Sequence, residues 1–163
     1  MNNKTLKISK KLYAVTLWVH PEGRVVGSLY LKEQDTKEEE NEQPLDVLNQ
    51  CNPFLVFKVD VPDELRFYNI KSVIRVEYES SASNSTPETE PMHCHLHMMD
   101  GSHINGTIFE SLPPDHSRLL DYLNRGEENF IKVHVDNGLI YLINKSYINH
   151  VHVTGIENTG SEA

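Results

Sequence analysis

Five histidines fall in two short alternating stretches, His93-Cys94-His95-Leu96-His97 and His150-Val151-His152. Neutral imidazole is a good ligand for zinc, nickel and copper. In an extended strand alternate residues share one face. His93, His95 and His97 therefore project together to one side, and Cys94 and Leu96 to the other. His150 and His152 alternate with Val151 and Val153 in the same way. If the two strands lie side by side, five imidazoles gather on one outer surface, a metal site for which zinc and nickel are the ions to test. The competing reading is a wet, histidine-rich face, because outward strand positions are polar by default. No carboxylate or cysteine stands among these histidines at a fixed ligand spacing. No motif demands any other cofactor.

Other chemistry is thinly represented. Asp115-His116-Ser117 has the residue types of a catalytic triad, but sequence neighbours cannot adopt its geometry; Asp115 or Ser117 is read as a helix cap behind Pro113-Pro114. Phosphate-loop, dinucleotide-loop, zinc-protease and paired-carboxylate signatures do not occur. The chain is read as a non-enzyme. Cys51 lies in a loop with nothing nearby to activate it, and with Cys94 it forms no CxxC pair. Among the aromatics, Trp18, Tyr30, Tyr68 and Phe109 could line an exposed groove. Alternation turns Trp18 outward, and an outward tryptophan suggests a covered docking surface. A protein partner or a second copy of the chain is therefore expected.

Composition sets the outer bounds. The 163 residues carry a net charge of −9 with 38% apolar content, enough to build a core. The acidic balance argues against nucleic acid as the main partner, since that binding rests on neutralising phosphates with Lys and Arg. The first residues form a short basic leader without an apolar core, and no apolar run reaches membrane-spanning length. No membrane association and a cytoplasmic location are the expectation.

The elements that would position these residues read as short strands. Leu12 to Val19 alternates, His20-Pro21-Glu22-Gly23 turns, and Val25 to Leu31 returns with Gly27 inside it, the mark of a bulge or close backbone approach. An acidic loop spans 32–43. Leu45 and Leu48 sit on one face of a helical turn containing Asp46 and closed by Asn49. Strands follow at Phe54 to Val61, Leu65 to Ile70 and Ser72 to Tyr78. Residues 79–91, dominated by Ser, Thr, Pro and Glu, read as a linker. The same order then recurs over 92–153. Val25-Val26-Gly27-Ser28-Leu29-Tyr30 corresponds to Ile104-Asn105-Gly106-Thr107-Ile108-Phe109. Leu45-Asp46-Val47-Leu48-Asn49 corresponds to Leu120-Asp121-Tyr122-Leu123-Asn124, and Lys71-Ser72-Val73-Ile74 to Lys145-Ser146-Tyr147-Ile148. Leu17 and Val19 also match Leu96 and Met98, and Phe54 and Val59-Asp60 match Phe130 and Val135-Asp136, so that five blocks in one order argue for a duplication. Residues 154–163 complete the chain as a flexible tail. The predicted fold is all-β, with one short helical turn per unit, as two tandem five-stranded small barrels over 12–78 and 92–153.

The second unit resembles the Sm-like family of SH3-type small barrels. The resemblance is carried by Leu96 to Met98, Asp100-Gly101, Gly106 and Ile108, then by Asp121 and Asn124, and by the strand pair around Ile143 to Ile148. It covers 92–153 well and 12–78 loosely, and the tandem arrangement looks most like an uncharacterised bacterial branch. It implies two pseudo-symmetric SH3/Sm-like barrels acting as a protein-interaction or assembly module. RNA-binding members carry Arg-Gly or Lys-Gly before the last strand, where this chain has Asn144-Lys145-Ser146. Nucleic-acid binding is accordingly the third expectation, after interaction and metal or small-ligand sensing.

Overall fold

The structure, a computed structural model, describes residues 10–33, 41–50, 52–80, 91–110 and 118–153, without the side chain of Arg118. It divides into two compact units, Met1–Tyr78 and Glu79–Ala163. The fold is all-β with two short helices.

The first unit comprises β1 (Lys10–Val19), β2 (Gly23–Lys32), α1 (Pro44–Leu48), β3 (Phe54–Val59), β4 (Glu64–Asn69), a 3₁₀ turn at Ile70–Ser72 and β5 (Val73–Glu79). Its strands are hydrogen-bonded antiparallel in the order β5-β1-β2-β3-β4. Alternation sends Val15, Leu17 and Val19 inward against Leu29, Phe57 and Val76, all buried. Gly27 allows β2 to cross β3 closely: a Cβ there would overlap the Lys58 carbonyl oxygen and the Phe57 ring. Asp46 does its work inside α1, where its carboxylate accepts the Gln43 N–H and closes a capping box.

The second unit comprises β6 (Pro91–Met98), β7 (His103–Phe109), α2 (Arg118–Leu123), β8 (Phe130–His134), a 3₁₀ turn at Asp136–Gly138, β9 (Leu139–Asn144), a second 3₁₀ turn at Lys145–Tyr147 and β10 (Ile148–Val153). The order is β10-β6-β7-β8-β9. Cys94, Leu96 and Met98 line its core with Ile108, Phe130 and Leu142. A Cβ at Gly106 would overlap a Val133 methyl, the close approach seen at Gly27. Asn49 and Asn124 donate their N–H groups to Leu45 and Leu120 at 3.0 Å, so both helical turns end alike.

Four expectations need correction. The hydrogen-bonded sheet is open among the described residues. In each unit the last two strands follow one another through a three-residue 3₁₀ turn instead of pairing, so no ladder joins the ends of the order. The linker is shorter than 79–91, because Glu79 ends β5 and Pro91 begins β6. The acidic loop is shorter than 32–43, because Lys32 lies in β2 and Gln43 caps α1, with Glu42 accepting the Lys32 N–H at 2.9 Å. The correspondence of Lys71-Ser72 with Lys145-Ser146 is one residue out of step. Asn69 Oδ1 accepts from Lys71 N and Asn144 Oδ1 from Ser146 N, each at 3.0 Å, so the capping asparagines are the matching positions. Cys51, Asp115, Ser117 and the tail 154–163 lie outside the described residues.

Candidate metal centre

The β6–β7 hairpin sets the register of the site. Asp100 Oδ1 accepts the Ser102 N–H at 2.9 Å and Gly101 takes a φ of 88°, which closes the turn. His97 then falls opposite His103, His95 opposite Asn105 and His93 opposite Thr107. On the other side β10 pairs with β6, placing His150 opposite His97 and His152 opposite His95. Directly paired residues share a face. The outer surface of the three strands thus presents two rows, His103-His97-His150 and Asn105-His95-His152.

Three of these imidazoles converge. His95, His97 and His103 each offer one ring nitrogen, and the three atoms lie within 4.8 Å of one another. His95 Nε2 and His103 Nδ1 are 3.2 Å apart. Two imidazoles on a tetrahedral zinc at 2.0–2.1 Å have their nitrogens about 3.4 Å apart, so this edge already has the separation an ion requires. The third nitrogen, from His97, lies within 4.8 Å of both.

Asn105 orients the first ligand. Its amide oxygen accepts from His95 Nδ1. An amide oxygen can only accept, so the proton sits on Nδ1 and the Nε2 lone pair is left for a metal. His97 is half-buried and lies among three other imidazole rings. Its ring lies 4.0 Å from that of His150 at an interplanar angle of 15°, 4.2 Å from His103 and 4.6 Å from His95. This enclosure, followed by repulsion from His150, His103, His95 and His152, holds its pKa below the ordinary imidazole value. A neutral imidazole is the form that binds a metal.

The sequence placed five histidines here, and the structure sorts them. His95 and His97 are in the convergent group. His150 stacks on His97 with its Nδ1 2.8 Å from Asn149 Oδ1. His93 turns aside to Thr107 Oγ1 at 3.0 Å. His152 faces His95 across the β6–β10 ladder. His103 was missed by counting alternate histidines. Its signal is the Asp100-Gly101 turn, which fixes its partner as His97. Cys94 points the opposite way into the core, where burial pushes its thiol up to about 11, so it stays protonated and away from the ion.

The four aromatics singled out from sequence do not form one surface. Trp18 does face outward, but the Arg75 guanidinium covers it at 4.5 Å from the ring centroid. Tyr68 packs edge-on to Phe57, and its hydroxyl bonds to Arg66 and Glu22. Phe109 belongs to the other unit and packs against His134. Of the four, only Tyr30 adjoins the apolar outer face that the first unit does carry. There Phe54, Val56, Leu65 and Phe67 are 56%, 39%, 52% and 65% exposed, with Val56 paired to Phe67. The run Phe54-Leu55-Val56-Phe57, apolar on both sides of a strand, was its sequence signal.

Lys145, at the start of the 3₁₀ turn before β10, donates to the carbonyls of Leu123 and Arg125 at 3.1 and 2.7 Å. It thereby satisfies carbonyls at the end of α2. Among the described residues no helix is long and apolar enough to cross a membrane.

Comparisons with protein-family models, curated proteins and solved structures find no match.

Proposed function

We propose that this chain is a metal-binding protein that holds a zinc, nickel or copper ion on the second unit through His95, His97 and His103. The observation that carries the reading is the convergence of three ring nitrogens within 4.8 Å. Uncharged imidazoles suit these ions, and the Asn105 contact leaves one of them in the ligating tautomer. A structural or sensing role fits better than catalysis, because no described group completes a catalytic constellation around the site. Isothermal calorimetry with zinc and with nickel tests it. A 1:1 heat at micromolar metal, abolished in His95→Ala and His103→Ala, is expected. Absence of heat from the unaltered protein defeats the reading.

A second reading is a cytoplasmic, non-enzymatic interaction or assembly module made of two tandem SH3/Sm-like units whose ladders are open. Two observations favour it. Both units share one strand order and the 3₁₀ turn before the last strand, and the first unit exposes Phe54, Val56, Leu65 and Phe67 as a contiguous apolar face. Under this reading, replacing Phe67 and Val56 with Ser removes a partner or self-association without unfolding the chain. Sedimentation of the two proteins side by side checks that.

A further inference from the structure

We infer that His150 supplies a fourth ligand to the ion, so that metal binding fastens the edge strand β10 to the β6–β7 hairpin. This rests on the metal reading above. Three imidazoles leave one position of a tetrahedral ion open. Water or a fourth side chain must fill it, and His150 is the imidazole best placed to do so. Its ring lies parallel to that of His97, 4.0 Å away. Stacked in this way its lone pair does not converge with the other three nitrogens. His150 is exposed, so turning its ring toward the ion meets no packing barrier. Its Nδ1 is held by Asn149 Oδ1 at 2.8 Å. That places the proton on Nδ1 and frees Nε2, as Asn105 does for His95. A ligand tethered on the neighbouring strand competes at a high effective concentration against one arriving from solution. His152 has no such advantage, since among the described residues it makes no ring contact with the convergent histidines.

The consequence follows from how β10 is held. It ends the strand order and is hydrogen-bonded to β6, with its register interrupted between Ile148 and His150. Ile148 and Val151 are half-buried and the other four residues are exposed. A strand with so little buried surface opens readily. An ion shared by β6, β7 and β10 adds a cross-strand tie at the weakest place in the ladder, and ligand binding to the closed form stabilises it by mass action.

The test combines zinc titration with amide exchange over residues 148–153 in the full chain and in its His150→Ala, His150→Gln and His152→Ala variants. Zinc is expected to slow exchange of β10 at least about 10-fold in the unaltered protein and in His152→Ala. Both His150 variants are expected to bind zinc about 10-fold or more weakly and to lose that protection, a loss in the range of changes around a metal site. Equal affinity and equal protection in the His150 variants would overturn the inference while leaving the three-histidine site standing. No zinc uptake by the unaltered protein would overturn both. His150→Gln keeps a side chain of similar reach, so a loss shared with His150→Ala reports ligation and not packing.

Discussion

The imidazole rings of His97 and His103 stand 4.2 Å apart, centroid to centroid, across the β6–β7 hairpin, because the turn between the strands pairs the two residues in register. His95 joins them from two positions along β6. The site is therefore local: one hairpin supplies all three donors, and its geometry depends on a single turn.

The ligand set predicts an ordered series of variants. Removing His95, His97 or His103 is expected to weaken zinc binding by at least the ~10–100-fold that changes in the surrounding shell usually cost. His93→Ala, whose ring is turned toward Thr107, should leave the affinity within about 2-fold. Calorimetric titration of the four variants checks the order.

Asn105 predicts a positioning effect distinct from ligation. Asn105→Ala frees His95 Nδ1 and lets the ring take the unproductive tautomer, which is expected to lower affinity about 10-fold with stoichiometry unchanged. Asn105→Asp keeps an acceptor at the same place and should retain tight binding. A wild-type affinity in Asn105→Ala would remove that residue from the site.

The depressed pKa of His97 gives a signed pH dependence. Folding lowers the pKa of this base from 6.5, by enclosure first and then by the neighbouring imidazoles. The unfolded chain thus binds more protons through that range. The contribution is in place above 6.5 and is lost as the pH falls from there toward the folded value. Metal affinity falls in the same direction, because protons compete for the ring nitrogens. Melting curves and zinc titrations at pH 7.5 and 5.5 should both show the weaker protein at pH 5.5.

Much of this was legible in the sequence. Alternation gave Cys94 inward and His95 outward. His103 was not recognised as a ligand because periodicity within one strand says nothing about its neighbour until the turn's register is worked out. The covering of Trp18 by Arg75 lies further from reach. It depends on β1 pairing with β5 more than fifty residues on, with a register shift between Trp18 and Val19. The open strand order was missed for a similar reason, since Ile70 reads as the end of one strand and Ser72 as the start of the next, with no 3₁₀ turn over Ile70–Ser72 to separate them.

The glycines inside β2 and β7 predict a stability effect unrelated to metal. Gly27→Ala meets the Lys58 carbonyl and the Phe57 ring, and Gly106→Ala meets Val133. Each is expected to cost about 1–3 kcal/mol, Gly27 more because backbone cannot rotate away. A Cβ at Gly126 meets nothing within 4 Å, and Gly126→Ala should be neutral or stabilising by up to about 1 kcal/mol. Denaturant midpoints of the three variants measure the difference.

The most direct test follows the nine histidine side chains by nuclear magnetic resonance during addition of zinc to one equivalent. The His95, His97 and His103 ring signals should move together and saturate at one ion per chain, while His20 and His134 stay in place. Uniform weak broadening of all nine, or no change at one equivalent, would contradict a metal centre on this hairpin.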